Sequence, residues 1–167
     1  MENANASKAI GAGFIATLVM TLMMYIAPMM GMPKMDIATM LGSMFTSGMP
    51  QPWSGAWWTG MIFHFINGTI IFPLIYAYLL YPFLAGSPWL RGTEWGLILW
   101  LLAQAMVMPM MGVGFFSANA PQPFTSVMGS LIGHIVYGAI LGAIAGEQAT
   151  RVGGAEHARY ERRERHA

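Results

Sequence analysis

Two histidines stand inside otherwise apolar stretches, His64 in TGMIFHFINGT and His134 in SLIGHIVYGAI. Each has a small residue four positions to either side: Gly60 and Gly68 around the first, Ser130 and Gly138 around the second. Four residues make about one helical turn, so on helices the small residues lie on the histidine's own face. A bis-imidazole haem b takes one neutral nitrogen from each of two facing helices. Small residues a turn away leave room for a porphyrin edge, and second-shell acceptors would hold the other ring nitrogens. His64 and His134 are thus candidate axial ligands, with Gly60, Gly68, Ser130 and Gly138 as the clearance. The structural alternative is packing. Ser130, His134, Gly138, Gly142 and Gly146 form one small-residue stripe at four-residue spacing, a common contact surface between membrane helices.

A second chemistry comes from the 17 methionines. Met29, Met30, Met110 and Met111 flank two prolines, with Met32, Met35 and Met108 close by in sequence. Thioethers and imidazoles suit Cu(I), which makes Met29, Met30, Met110 and Met111 a weaker candidate metal site alongside His64 and His134. Methionine is also a flexible apolar filler, and here it occurs in every part of the chain except the tail.

These residues need elements to position them, and the composition defines the setting. Of 167 residues, 56% are hydrophobic and 9% charged, well below the roughly 25% charged of soluble domains. Between Ala9 and Gly146 the only charges are Lys34, Asp36, Arg91 and Glu94. The intervening stretches are long enough to cross a hydrocarbon core of about 30 Å, and only helices satisfy every backbone group across it. The reading is all-α: a four-helix transmembrane bundle with spans at about 9–32, 56–81, 95–116 and 127–146. The first is read as a retained span, because it exceeds a signal-peptide core and no small-x-small site follows. Trp57, Trp58, Tyr78 and Tyr81 bracket the second as interfacial aromatics. After the first span, Asp36 can cap a short helix carrying Ile37, Met40, Leu41, Met44 and Phe45, which would lie in the interface. Residues 147–167 read as a polar, solvated and partly disordered cytoplasmic tail.

The two halves echo each other. Pro28-Met29-Met30-Gly31 answers Pro109-Met110-Met111-Gly112, and the His64 motif answers the His134 motif. Two tandem helix-pair repeats in the same orientation follow, with both histidines roughly 10 Å below one surface at 1.5 Å per residue. Pro28 and Pro109 are expected to kink their helices. Lys8, Arg91 and the distal arginines share one side, against Lys34 on the other, which places both termini in the cytoplasm.

Several functions are disfavoured. No span contains Asp, Glu, Lys or Arg, the usual carriers of ion coupling. There is no cysteine, no paired carboxylate and no phosphate-cradling loop, so an enzyme acting alone is not expected. A net charge of +1 gives no basic face for nucleic acid. The run GFIATLVMTLMMYIAPMMGMPKMDIATMLGSMF, the His64–Gly68 segment, PWLRG and GHIVYGAILG resemble a family of small bacterial membrane proteins defined only as a domain of unknown function, loosely similar to the inner-membrane protein YagU. The resemblance implies a four-span bacterial inner-membrane protein and carries no catalytic residues. The functional expectation is a non-enzymatic accessory or assembly subunit of a larger membrane complex, in contact with lipid and with a protein partner or further copies of itself. Haem-based electron transfer and copper handling are the alternatives.

Overall fold

The structure is a computed structural model that describes the backbone of residues 6–164 and the side chains of 7–146 and 162–164. Among these residues there are helices and no strands. The helices are α1 (Ala6–Ile26), α2 (Ile37–Gly42), α3 (Gly55–Leu80), α4 (Pro88–Met110) and α5 (Pro123–Glu164). Four segments are long and apolar enough to cross a membrane: Ser7–Met30, Gly55–Leu80, Pro88–Met110 and Pro123–Gly146. This is the pattern of a multi-pass membrane protein. α5 packs on α4 and on α1, and α1 also packs on α3.

The first two spans fall where the hydropathy places them; the third does not. It begins at Pro88 rather than Trp95, because Ser87 and Pro88 start a helix and the two charges of that stretch settle in its first turns. Arg91 donates from Nε to the Gly86 carbonyl (3.0 Å) and lies over the Tyr81 ring (4.7 Å), while Glu94 accepts from the Ala85 amide (3.3 Å). The fourth span likewise opens at Pro123, ahead of the expected Val127. Its helix continues past Gly146 to Glu164, so the backbone expected to be a tail is helical that far. Residues 165–167 lie outside the described residues.

The prolines act differently from simple kinks. Pro28 and Pro109 each introduce a helix end. Gly31 and Gly112 adopt φ of 82° and 78°, the left-handed conformation that closes a helix. The closing bonds match: Met32 N to Ala27 O and Val113 N to Met108 O span five residues, and Gly31 N to Pro28 O and Gly112 N to Pro109 O span three. Ahead of Pro73 and Pro109 the helix widens to a π turn, over Asn67–Ile71 and Ala103–Val107, which eases the clash of the proline ring with the preceding turn.

Small residues set the helix spacing. A Cβ on Gly138 would collide with the Gly92 carbonyl, one on Gly142 with the Pro88 carbonyl, and one on Gly96 with the His134 carbonyl. Between α1 and α3, Gly13 meets Pro73 and the Gly68 and Thr69 carbonyls. Lipid gives no hydrophobic drive to helix association, so this close approach and its dispersion contacts hold the bundle.

Gly138→Val should therefore cost about 1–3 kcal/mol through overpacking and lower the thermal midpoint in detergent. Gly11→Ala, whose Cβ meets nothing within 4 Å, should leave the midpoint unchanged or slightly raised. Equal midpoints for Gly138→Val and wild type would rule out the α4–α5 approach as a stabilising contact.

Candidate functional site

The two histidines sit on α3 and α5, both half-buried. Each is already engaged by a neighbour. His134 Nδ1 lies 2.8 Å from the Ser130 carbonyl and 3.5 Å from its hydroxyl; a carbonyl only accepts, so Nδ1 carries the proton. His64 Nε2 lies 3.0 Å from Thr21 Oγ1. The Thr21 hydroxyl spends its own hydrogen on the Thr17 carbonyl (2.7 Å), so His64 donates from Nε2. In the neutral rings, the unprotonated nitrogens are thus Nδ1 of His64 and Nε2 of His134.

One turn further along each helix lies a short hydrogen bond that joins the two helices directly. In the π turn Phe72 N bonds Asn67 O, and Pro73 has no N–H to offer. The Gly68 carbonyl loses its usual helical donor as a result, and the buried Tyr137 hydroxyl donates to it across the bundle at 2.7 Å. Thr17 closes the other side of Gly68, its own hydroxyl bonded to the Gly13 carbonyl (2.7 Å). The central seam therefore runs through Thr17, Thr21, His64, Gly68, Ser130, His134 and Tyr137. The two threonines carried no signal in the sequence beyond being polar in an apolar span.

The four small residues flanking the histidines do not frame a common slot. Gly60 faces α2, where a Cβ would strike the Ala38 carbonyl and the Gly42 amide. Gly68 faces Thr17 of α1, Gly138 faces Gly92 of α4, and Ser130 is buried. These positions meet neighbouring helices, and Tyr137 bridges α3 and α5 directly.

Other polar side chains of the spans bond elsewhere. Asn67 donates to the Phe63 carbonyl (2.8 Å) on the outside of α3. Gln104, fully buried, accepts from the Ser117 hydroxyl (2.9 Å) within the α4–α5 connection. There Phe116 and Ser117 both hold positive φ, 49° and 54°. Tyr81, expected at an interface, is buried and donates to the Gly146 carbonyl (3.4 Å).

The methionines of the Pro-Met-Met-Gly segments turn outward: Met29, Met30 and Met110 are 85%, 80% and 67% exposed, and Met111 is half-buried. Met35, Met40, Met49 and Met108 instead line a cleft of about 460 Å³ between the α1–α3 connection and the end of α4. Among the described residues no three His, Asp or Glu side chains gather as a metal-binding group.

The geometry is that of a helical bundle with four helices long and apolar enough to cross a membrane, its buried polar groups bonded partly within their own helices and partly across to neighbours. The chain belongs to a family of unknown function, DUF6789, which matches residues 3–154. No curated protein and no solved structure shows significant similarity to it.

The seam makes a paired prediction. Tyr137→Phe orphans the Gly68 carbonyl and should cost about 1 kcal/mol, the scale of interhelical hydrogen bonds in membranes. Tyr76→Phe removes a buried hydroxyl that has no partner among the described residues, and should be neutral or stabilising. Thermal midpoints of the two purified variants, read side by side, check the contrast; the reverse order would refute the assignment.

Proposed function

We propose that this protein is a non-enzymatic subunit of the bacterial cytoplasmic membrane, with both termini in the cytoplasm, that accompanies or helps assemble a larger membrane complex. The observation that carries this reading is the use made of the interior. The histidines, the threonines and Tyr137 bond to other residues of the bundle, and the glycines bring the helices together. Large apolar side chains such as Leu22, Ile26, Ile62, Leu101 and Met106 face outward. Such a bundle needs no cofactor to hold its spans together, and its outer surface is suited to lipid or neighbouring chains. The matching bonds that end the first and third spans support descent from a duplicated helix pair. The capped α2, tucked against the start of α3 through Gly42 and Gly60, suits a position in the interface.

Copper handling has one observation in its favour, the four thioethers that share the cleft. On that reading Met35, Met40, Met49 and Met108 take the place of the exposed pairs named from the sequence.

The accessory reading predicts that the tagged protein, extracted from native membranes in mild detergent, elutes with stoichiometric membrane partners. Elution as a lone monomer under conditions that preserve other complexes would count against it. It also predicts a colourless protein after expression with ample haem. A reduced-minus-oxidised Soret band, lost in His64→Ala and His134→Ala, would replace packing with haem binding as the role of this layer.

A further inference from the structure

At the end of the bundle where α1 finishes and α3 begins, the only charges are Lys34 and Asp36, two residues apart and opposite in sign. They do not neutralise each other. The Asp36 carboxylate caps α2 by accepting from the Thr39 amide (3.1 Å), and also accepts from the Trp57 indole N–H (3.2 and 3.3 Å). That leaves the exposed Lys34 ammonium with no ion-pair partner among the described residues. Both residues line a cleft of about 290 Å³ whose walls include Tyr25, Trp53, Trp57 and Met61.

The aromatic wall is built with some strain. Trp53 holds a left-handed backbone (φ 65°), uncommon for a bulky residue, and strain of this kind marks binding sites. The conformation sets its ring at a tilt against Trp57 (centroids 4.7 Å apart) and near Trp58 (5.8 Å), yet leaves Trp53 70% exposed. The cleft therefore offers a fixed carboxylate beside indole and phenol faces, which attract an organic ammonium, and a separate unpaired cation, which attracts a phosphate. The apolar outer faces of α1 and α3, with Leu22, Ile26 and Ile62, run on from it toward the middle of the span.

We propose that this cleft binds the headgroup of a zwitterionic phospholipid. The phosphate is held at Lys34, the alkylammonium lies against Asp36 and the tryptophans, and the acyl chains follow the grooves of α1 and α3. The site lies outside the histidine seam and does not depend on whether a partner subunit covers the bundle.

The test is native mass spectrometry of the full chain released from nanodiscs of equal phosphatidylethanolamine, phosphatidylcholine and phosphatidylglycerol. The zwitterionic lipids should be retained about fivefold over the glycerol lipid, which has the phosphate but no ammonium. Trp53→Leu and Asp36→Asn should each erase that preference, and Lys34→Gln should lower retention of all phospholipids. Because Asp36 also caps α2, a poorly folded Asp36→Asn leaves the decision to Lys34→Gln and Trp53→Leu, whose side chains are exposed. Equal retention of all three lipids by wild type, or an unchanged preference in Trp53→Leu, would overturn the assignment. So would binding of soluble phosphocholine with no lipid retained.

Discussion

A backbone carbonyl in hydrocarbon has no water to turn to, and Gly68 is where this chain meets that constraint most sharply. Pro73 supplies no N–H, and the π turn before it sends the Phe72 amide to Asn67 instead. The Tyr137 hydroxyl then becomes the donor, tying α5 to α3 at the point where α1 also presses in with Gly13 and Thr17. Three spans meet at one repaired carbonyl. His64 lies one turn away on α3 and His134 one turn away on α5.

The fourth helix is held by a different device. α4 offers Pro88, Gly92 and Gly96 at four-residue spacing, and α5 answers with His134, Gly138 and Gly142. Backbone meets backbone because no side chain intervenes, and dispersion over that contact does what hydrophobic burial does in water. The start of α4 is fixed by Arg91 and Glu94 folding back on the α3–α4 turn, and further along the pair Trp100 of α4 donates to the Val127 carbonyl of α5 (3.3 Å). Between Ala9 and Gly146 the four charges all lie at or near the start of a helix: Lys34 and Asp36 just before α2, Arg91 and Glu94 in the first turns of α4.

The four spans were legible in the sequence because hydropathy and the scarcity of charge act over twenty residues at a time. Asp36 as a cap was legible because an N-cap is a local signal. The start of the third span was not. Arg91 and Glu94 looked like loop residues, and only the return of their side chains to Gly86 and Ala85 shows that the first helical turns can hold them. The histidine motifs were visible, but their faces were not. Spacing shows that Gly60, Gly68 and Gly138 share a side with a histidine, whereas which neighbour fills each gap depends on three other helices. The π turns left no pattern beyond the prolines that follow them. The methionines that share a cleft left no local pattern, because they are scattered from Met35 to Met108.

Everything above depends on lipid surrounding four crossings, and the absence of cysteine from the sequence makes that directly measurable. Ser47→Cys and Ser87→Cys place single thiols at exposed positions in the α2–α3 and α3–α4 connections, on opposite sides of the membrane in this account. In intact spheroplasts a membrane-impermeant maleimide should modify Ser47→Cys at once and Ser87→Cys only after permeabilisation. Modification of both from the same side would contradict the four-span arrangement, and with it the shared level of His64 and His134.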